Sequence, residues 1–247
     1  MRPRGLLIKE LENFSYTFPP YCRWMNFEAR KLSLKYIKAE LRWYLHGDPT
    51  DLSIARYAKL WETIADHSGK VNSNYGHYIF RRAQFEWIIS ELRSDPDSRR
   101  ASMVILQPEH LVPNNKDVPC TYGMNLRIRE GKLNCSVHMR SQDAIWGLGN
   151  DLPFFSVVQE LAATLLLVPM GNLHLAVDSF HVYEKHFDMV DQIVSHGSRW
   201  SPIECPRIFS ILEANRLICE NPDMKCPFTK WLYGDKVRDD ASTTRPA

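Results

Sequence analysis

In residues 124–139 apolar and polar residues alternate on both sides of a turn. Met124, Leu126 and Ile128 lead into Arg129-Glu130-Gly131-Lys132, and Leu133, Cys135, Val137 and Met139 lead out of it. A period of two in paired runs joined by a glycine-bearing turn specifies a hairpin with one buried face. The pattern then changes. Over residues 151–167 apolar side chains (Phe154, Phe155, Val158, Leu161, Ala162, Leu165) surround a helix nearly completely. Such a helix belongs inside a protein, so it must be covered by other elements of the chain.

Taken from the start, residues 10–18 alternate polar and apolar and read as a strand closed by Pro19-Pro20. Over residues 26–47 Leu32, Leu34, Ile37, Leu41, Tyr44 and Leu45 recur at helical spacing, and Gly47-Asp48-Pro49 stops the helix. A second helical pattern covers residues 52–66, a polar turn-rich loop residues 69–76, and a third helix residues 80–92. Residues 101–107 read as a buried strand and residues 173–180 as another, with a helix opening at His181 and running to about Ser195. Beyond Gly197 the chain is irregular and proline-rich, and residues 237–247 have the composition of a flexible tail. Strands from both ends of the chain with helices between them predict one α+β domain over residues 1–236.

Charge excludes some functions. With 31 basic and 29 acidic residues the net charge is +2, which points to a small ligand and not to direct nucleic-acid binding, although a few arginines can still converge on one phosphate. Six cysteines at irregular spacing, without a Cys-x-x-Cys pair, indicate neither a zinc site nor a disulfide framework; they read mostly as small buried hydrophobes. The N-terminus lacks the apolar run of a signal peptide, and the longest apolar run, residues 161–169, is too short to span a bilayer. A soluble, cytoplasmic protein without a bound metal is expected.

Chemistry concentrates in residues 119–155, where Cys120, Arg140, Ser141, Asp143 and Asp151 gather around the hairpin. Cys120 reads as a thiolate nucleophile aided by a cation, or as loop filler; no histidine stands in a recognisable Cys/His arrangement with it. Arg99-Arg100 is a fork for an oxyanion or a solvated pair. Glu40 on its amphipathic helix is, by periodicity alone, a solvated residue.

The motifs Glu40-Leu41-x-Trp43, Asp95-Pro96-Asp97-Ser98-Arg99-Arg100, Pro119-Cys120, Arg140-Ser141-x-Asp143, Gly147-Leu148 and His181-x-Tyr183 stand in one order. In that order and approximate spacing the chain resembles the thymidylate synthase superfamily over roughly residues 4–190. The resemblance implies an α+β domain with a large mixed β-sheet flanked by helices, in a homodimer whose sheets pack face to face. It makes Cys120 the nucleophile that adds to C6 of a pyrimidine nucleotide. It assigns the phosphate to Arg140 and Ser141, to Arg99 and Arg100 of the partner subunit, and to Arg4. His181 and Tyr183 take the sugar hydroxyl, Trp61, Asp143 and Gly147 face the folate, and Tyr75 lies near the thiol. The co-substrate so implied is 5,10-methylenetetrahydrofolate, with no metal.

Three departures matter more than the matches. Where the synthase carries an asparagine that reads uracil, this chain has Asp151. Cytosine presents an N4 donor and an N3 acceptor, which a carboxyl group holding a proton complements. Asp151 is equally a residue type that caps a following helix. The histidine after the catalytic cysteine is replaced by Thr121, and the second tryptophan of a Trp-x-x-Trp segment by Ile64. These changes resemble the phage-type deoxycytidylate hydroxymethylase branch, in which water, oriented or deprotonated by Glu40, attacks the methylene delivered to C5. The expected activity is therefore dCMP 5-hydroxymethyl transfer. The alternatives are dUMP hydroxymethylation, thymidylate synthesis, and, from another class, an inactive homologue that binds nucleotides or RNA.

Overall fold

The computed structural model describes residues 1–20, 22–195 and 198–242, without the side chains of Arg4 and residues 235–242. Its strands are β1 (Ile8–Phe18), β2 (Ser102–Val104), β3 (Thr121–Arg129), β4 (Lys132–Met139), β5 (Gln142–Asp143) and β6 (Met170–Tyr183). Its helices are α1 (Leu34–His46), α2 (Leu60–Ile64), α3 (Tyr75–Phe80), α4 (Gln84–Ser94), α5 (Trp146–Leu166), α6 (Phe187–Ser195), α7 (Ile211–Ile218) and α8 (Pro227–Ser242).

The strands form one mixed sheet in the order β1-β6-β4-β3-β2, with β5 added beside β6. The hairpin is β3 and β4, antiparallel in the register Leu126↔Cys135 and Met124↔Val137. The crossover through α5 brings β6 back parallel to β4, the usual outcome when a helix joins two strands of one sheet. Helix α5 lies against β4 and β6, whose buried residues include Cys135 and Leu175, α4 lies against β3 with its buried Leu126, and α1, α4 and α7 complete the cover of α5. The opposite face is polar, linked by Tyr122 to Asp178 at 2.8 Å, Arg127 to Ser136 at 2.7 Å and Thr17 to His174 at 2.8 Å. This is the α+β architecture with a large mixed sheet flanked by helices that the sequence leads one to expect.

Several expected boundaries move. The helix expected over residues 26–47 begins only at Leu34, because Ser33 accepts the Tyr36 amide and caps it; a 3-10 turn, Glu28–Arg30, precedes it. The pattern over residues 52–66 is split into the 3-10 turn Ser53–Arg56 and the short α2. The helix expected over residues 80–92 is two, α3 and α4, separated where Ala83 takes a left-handed backbone conformation. The strand of residues 101–107 shortens to β2, and β6 extends through His181 and Tyr183, which therefore belong to a strand and not to a helix. The proline-rich end contains α7, capped by the Ser210 hydroxyl, and α8. The α8 backbone runs to Ser242, and residues 243–247 of the expected tail lie outside the described residues. Of the six cysteines only Cys135 is buried, and Cys219 is exposed.

Candidate active site

Cys120 is the residue immediately before β3. Its carbonyl accepts the Arg140 amide at 2.9 Å, which ties the start of β3 to the end of β4. The Arg140 guanidinium folds over the same loop, with Nε donating to the Pro119 carbonyl at 3.1 Å and Nη2 to the Val118 carbonyl at 2.6 Å. A register shift between Thr121 and Gly123 follows the cysteine at once, and such bulges re-aim the side chains beside them. The loop is anchored from below by Asp117, whose buried carboxylate accepts the Ser73 amide at 2.7 Å and the Ser73 hydroxyl. Residues 71–74 are thus a buried brace, although their polarity reads as an exposed loop.

Two carboxyl groups lie deeper. Glu40 is buried on α1, and Tyr36, one helical turn earlier, donates its hydroxyl to Oε1 at 2.6 Å while accepting the Trp61 indole N–H at 3.0 Å. Burial pushes the Glu40 pKa up to about 8; the Tyr36 hydrogen bond and the Arg30 charge oppose the rise, and Asp151 adds to it. Asp151 lies inside α5 and does not cap it. The carboxylate at the start of that helix is that of Asp143, which accepts the amides of Ile145 at 3.0 Å and Trp146 at 3.1 Å. Asp151 keeps partial contact with solvent, yet enough protein surrounds it that desolvation lifts its pKa to about 7, against a hydrogen bond from Gln142 and with the Asp143 charge adding. At neutral pH a proton on either carboxyl is therefore inexpensive.

Tyr75 opens α3 and stacks on Tyr44, with ring centroids 5.5 Å apart, and on Phe155 at 6.3 Å. Burial raises its pKa, and the charges of Asp151 and Cys120 both add, so nucleophile, phenol and carboxyl share one locality. Asp143 is paired with His181 in the β5–β6 register, and His181 meets the Tyr183 ring edge-on at 5.0 Å. Trp61 packs on Trp43 at 4.9 Å. Ser141 follows Arg140 half-buried, and Gly147 lies against Asp143, where an added Cβ would be 3.3 Å from the aspartate Cβ. Arg99 and Arg100 are brought elsewhere. Both are exposed at the far edge of the sheet, where Arg100 donates to Glu91 through Nε at 2.9 Å. The Arg4 side chain lies outside the described residues.

Sequence reading missed Tyr16, Arg30, Tyr36 and Gln142. Arg30 is buried, with Nε on the Ile145 carbonyl at 2.8 Å and Nη2 on Asn150 Oδ1 at 3.0 Å. Gly149 makes room for it, since a Cβ there would lie 2.2 Å from its guanidinium. Among the described residues its Nη1 is buried without a hydrogen-bond partner. Tyr36 was readable as the (i, i+4) neighbour of Glu40. The others have no local signal.

The Thymidylate synthase family model matches residues 26–211, three quarters of the chain. The chain belongs to the thymidylate synthase family. Deoxycytidylate 5-hydroxymethyltransferase of Enterobacteria phage T4 is 33% identical over 175 residues, which cover 65% of this chain and 71% of that protein. Deoxyuridylate hydroxymethyltransferase of Bacillus phage SP01 is 30% identical over 200 residues, covering 74% of this chain and 52% of the phage protein. As a thymidylate synthase family member the chain is a one-carbon transferase of a family that acts on nucleotides and is generally dimeric. No described helix is long and apolar enough to cross a membrane.

Proposed function

We propose that the chain is a deoxycytidylate 5-hydroxymethyltransferase, forming 5-hydroxymethyl-dCMP and tetrahydrofolate from dCMP, 5,10-methylenetetrahydrofolate and water. The observation that carries this reading is Asp151, a carboxyl whose surroundings push its pKa up to about 7 at the position expected to read the base. A protonated carboxyl offers a donor to cytosine N3 and an acceptor to its N4 amino group. The relative that acts on deoxyuridylate favours a second reading, dUMP hydroxymethylation.

Cys120 adds its sulfur to C6, and the C5–C6 π pair moves to C5, which becomes the carbon nucleophile. Arg140, fixed to the loop on either side of Pro119, is the kind of neighbour that favours a thiolate. Methylenetetrahydrofolate supplies the one-carbon unit when bound. The residues present suit it: Nη1 of Arg30, which has no hydrogen-bond partner among the described residues, and the Asp143 carboxylate offer a donor and an acceptor to a polar fused ring, and the Trp61 indole offers an aromatic surface. Once C5 has bonded to the methylene and lost its proton, the bond from that methylene to the folate nitrogen breaks and tetrahydrofolate leaves; Glu40, held by Tyr36, orients or deprotonates the water that adds to the methylene carbon left on C5. Cys120 then departs and the ring double bond returns. Arg140 and Ser141, joined by Arg99 and Arg100 of the partner subunit, hold the phosphate, and His181 and Tyr183 the sugar hydroxyl; Arg4 is a further phosphate candidate. Tyr75 contacts the reacting thiol region, and Gly147 lets the folate approach Asp143. Both reactants are thereby fixed in contact.

Purified protein given dCMP and dUMP separately with methylenetetrahydrofolate tests this. The expected product is hydroxymethyl-dCMP by mass spectrometry, with Asp151→Asn shifting turnover towards dUMP. A wild-type preference for dUMP overturns the cytosine reading, and no product from either nucleotide points to a binding homologue.

A further inference from the structure

A neutral carboxyl group is degenerate as a reader of bases. It holds one O–H donor and one carbonyl acceptor, and moving the proton to the other oxygen exchanges them. A protonated Asp151 with no other constraint would complement cytosine with its proton facing N3, and uracil with its proton facing O4. Aspartate therefore admits cytosine without by itself excluding uracil. Something must decide which oxygen carries the proton.

Gln142 is in a position to do so. Its side chain is buried, and its Nε2 donates to Asp151 Oδ2 at 3.4 Å. Its carbonyl Oε1 accepts the hydroxyl of Tyr16. Burial raises the Tyr16 pKa, with the Asp151 charge adding, so this phenol remains an O–H donor. A donor at one end leaves the glutamine one satisfied orientation: carbonyl to Tyr16, amide to Asp151. An N–H directed at Oδ2 then disfavours a proton on that oxygen and leaves it for Oδ1.

The framework around this relay is rigid. Gln142 lies in β5, paired with Phe180 of β6, and the Phe180 ring packs on Tyr16 at 5.4 Å and on Phe14 at 5.1 Å. Tyr16 also meets Phe18 edge-on at 5.3 Å. The other titratable groups whose charges are felt with Asp151 are Glu40, Tyr36 and Tyr44 of α1, Tyr75 of α3 and Asp143 of β5. Among the described residues Gln142 is the hydrogen-bond donor to the Asp151 carboxyl.

We propose that Gln142, oriented by Tyr16, is the positioning residue that fixes which oxygen of Asp151 carries the proton and so restricts the site to one pyrimidine edge. The proposal rests on the reading of Asp151 as the residue that meets the base. It adds that selectivity is lost when the relay is cut, even with Asp151 intact.

The test compares wild type, Gln142→Leu, Tyr16→Phe and Asp151→Asn in the full chain. For each, kcat/KM is measured with dCMP and with dUMP, and the binding of each nucleotide by calorimetry. Removing a buried donor of this kind should reduce the preference between nucleotides roughly tenfold or more in Gln142→Leu, and several-fold in Tyr16→Phe. The change should come mainly from a gain with the disfavoured nucleotide. A merely structural role would lower both nucleotides together and leave their ratio unchanged. Should Gln142→Leu fail to fold, Tyr16→Phe decides, because it keeps the ring contacts and removes only the hydroxyl. A ratio that stays within about twofold of wild type in the folded variants, while Asp151→Asn alters it, overturns the relay. The direction of wild-type preference tests the cytosine reading separately, and the binding ratio tests the relay even if neither nucleotide turns over.

Discussion

Glu40 and Asp151 are held where ionisation is unfavourable, and that has a measurable signature in stability. Their folded-state pKa values, about 8 and about 7, lie above those of an unfolded carboxyl, so the folded protein holds these protons more tightly. Below the unfolded pKa of about 4 neither group matters; as pH rises to about 8, stability is progressively lost. Glu40→Gln should therefore raise the melting temperature relative to wild type more at about pH 9 than at about pH 5, by a stability difference on the order of 2 kcal/mol or more. Asp151→Asn should do the same by less, since Asp151 keeps contact with solvent. Thermal denaturation across that range checks this, and a gap that is flat or narrows with rising pH contradicts it. At this scale contiguous motifs were legible, because Cys120, Arg140 and Asp143 announce themselves by near neighbours. Gln142 stood unread as the variable position between Ser141 and Asp143. Its meaning comes from Tyr16, 126 positions away, and no local pattern carries that. Arg30 is similar, being defined by Ile145 and Asn150.

Among the elements, the hairpin and the buried helix were legible because their periods are unambiguous and their burial one-sided or complete. The boundaries that moved are set by tertiary contacts. Helix α5 begins at Trp146, ahead of its apolar run, because Asp143 supplies the acceptor for its first amides. Helix α7 escapes notice because prolines surround it, yet Ala214, Leu217 and Ile218 pack on one face. The junction of α1 and α3 depends on Gly76, where a Cβ would lie 1.6 Å from the Tyr44 carbonyl oxygen. Backbone cannot yield as a flexible side chain does. Gly76→Ala should destabilise the fold by about 3 kcal/mol or more in urea denaturation, and should lower activity by displacing Glu40 and Tyr75 together. A loss below about 0.5 kcal/mol would show that the two helices are not in the contact described.

For the molecule as a whole, the family is generally dimeric, and Arg99 and Arg100 stand exposed at the far edge of the sheet. If these arginines complete the site of the partner subunit, Cys120→Ser and Arg100→Ala, each inactive alone, should complement on mixing. Each hybrid dimer would contain one intact site, and random exchange should restore about a quarter of wild-type activity. No recovery despite demonstrated subunit exchange would count against a shared site. In the proposed reaction Cys120 activates C5 of dCMP, and water, not hydride, completes the transfer. The most direct measurement runs the reaction with dCMP and methylenetetrahydrofolate in oxygen-18 water and weighs the product. The expected result is hydroxymethyl-dCMP carrying the heavy oxygen, tetrahydrofolate as co-product, and no turnover by Cys120→Ser. A methylated nucleotide accompanied by dihydrofolate, or substantial turnover by Cys120→Ser, would contradict it.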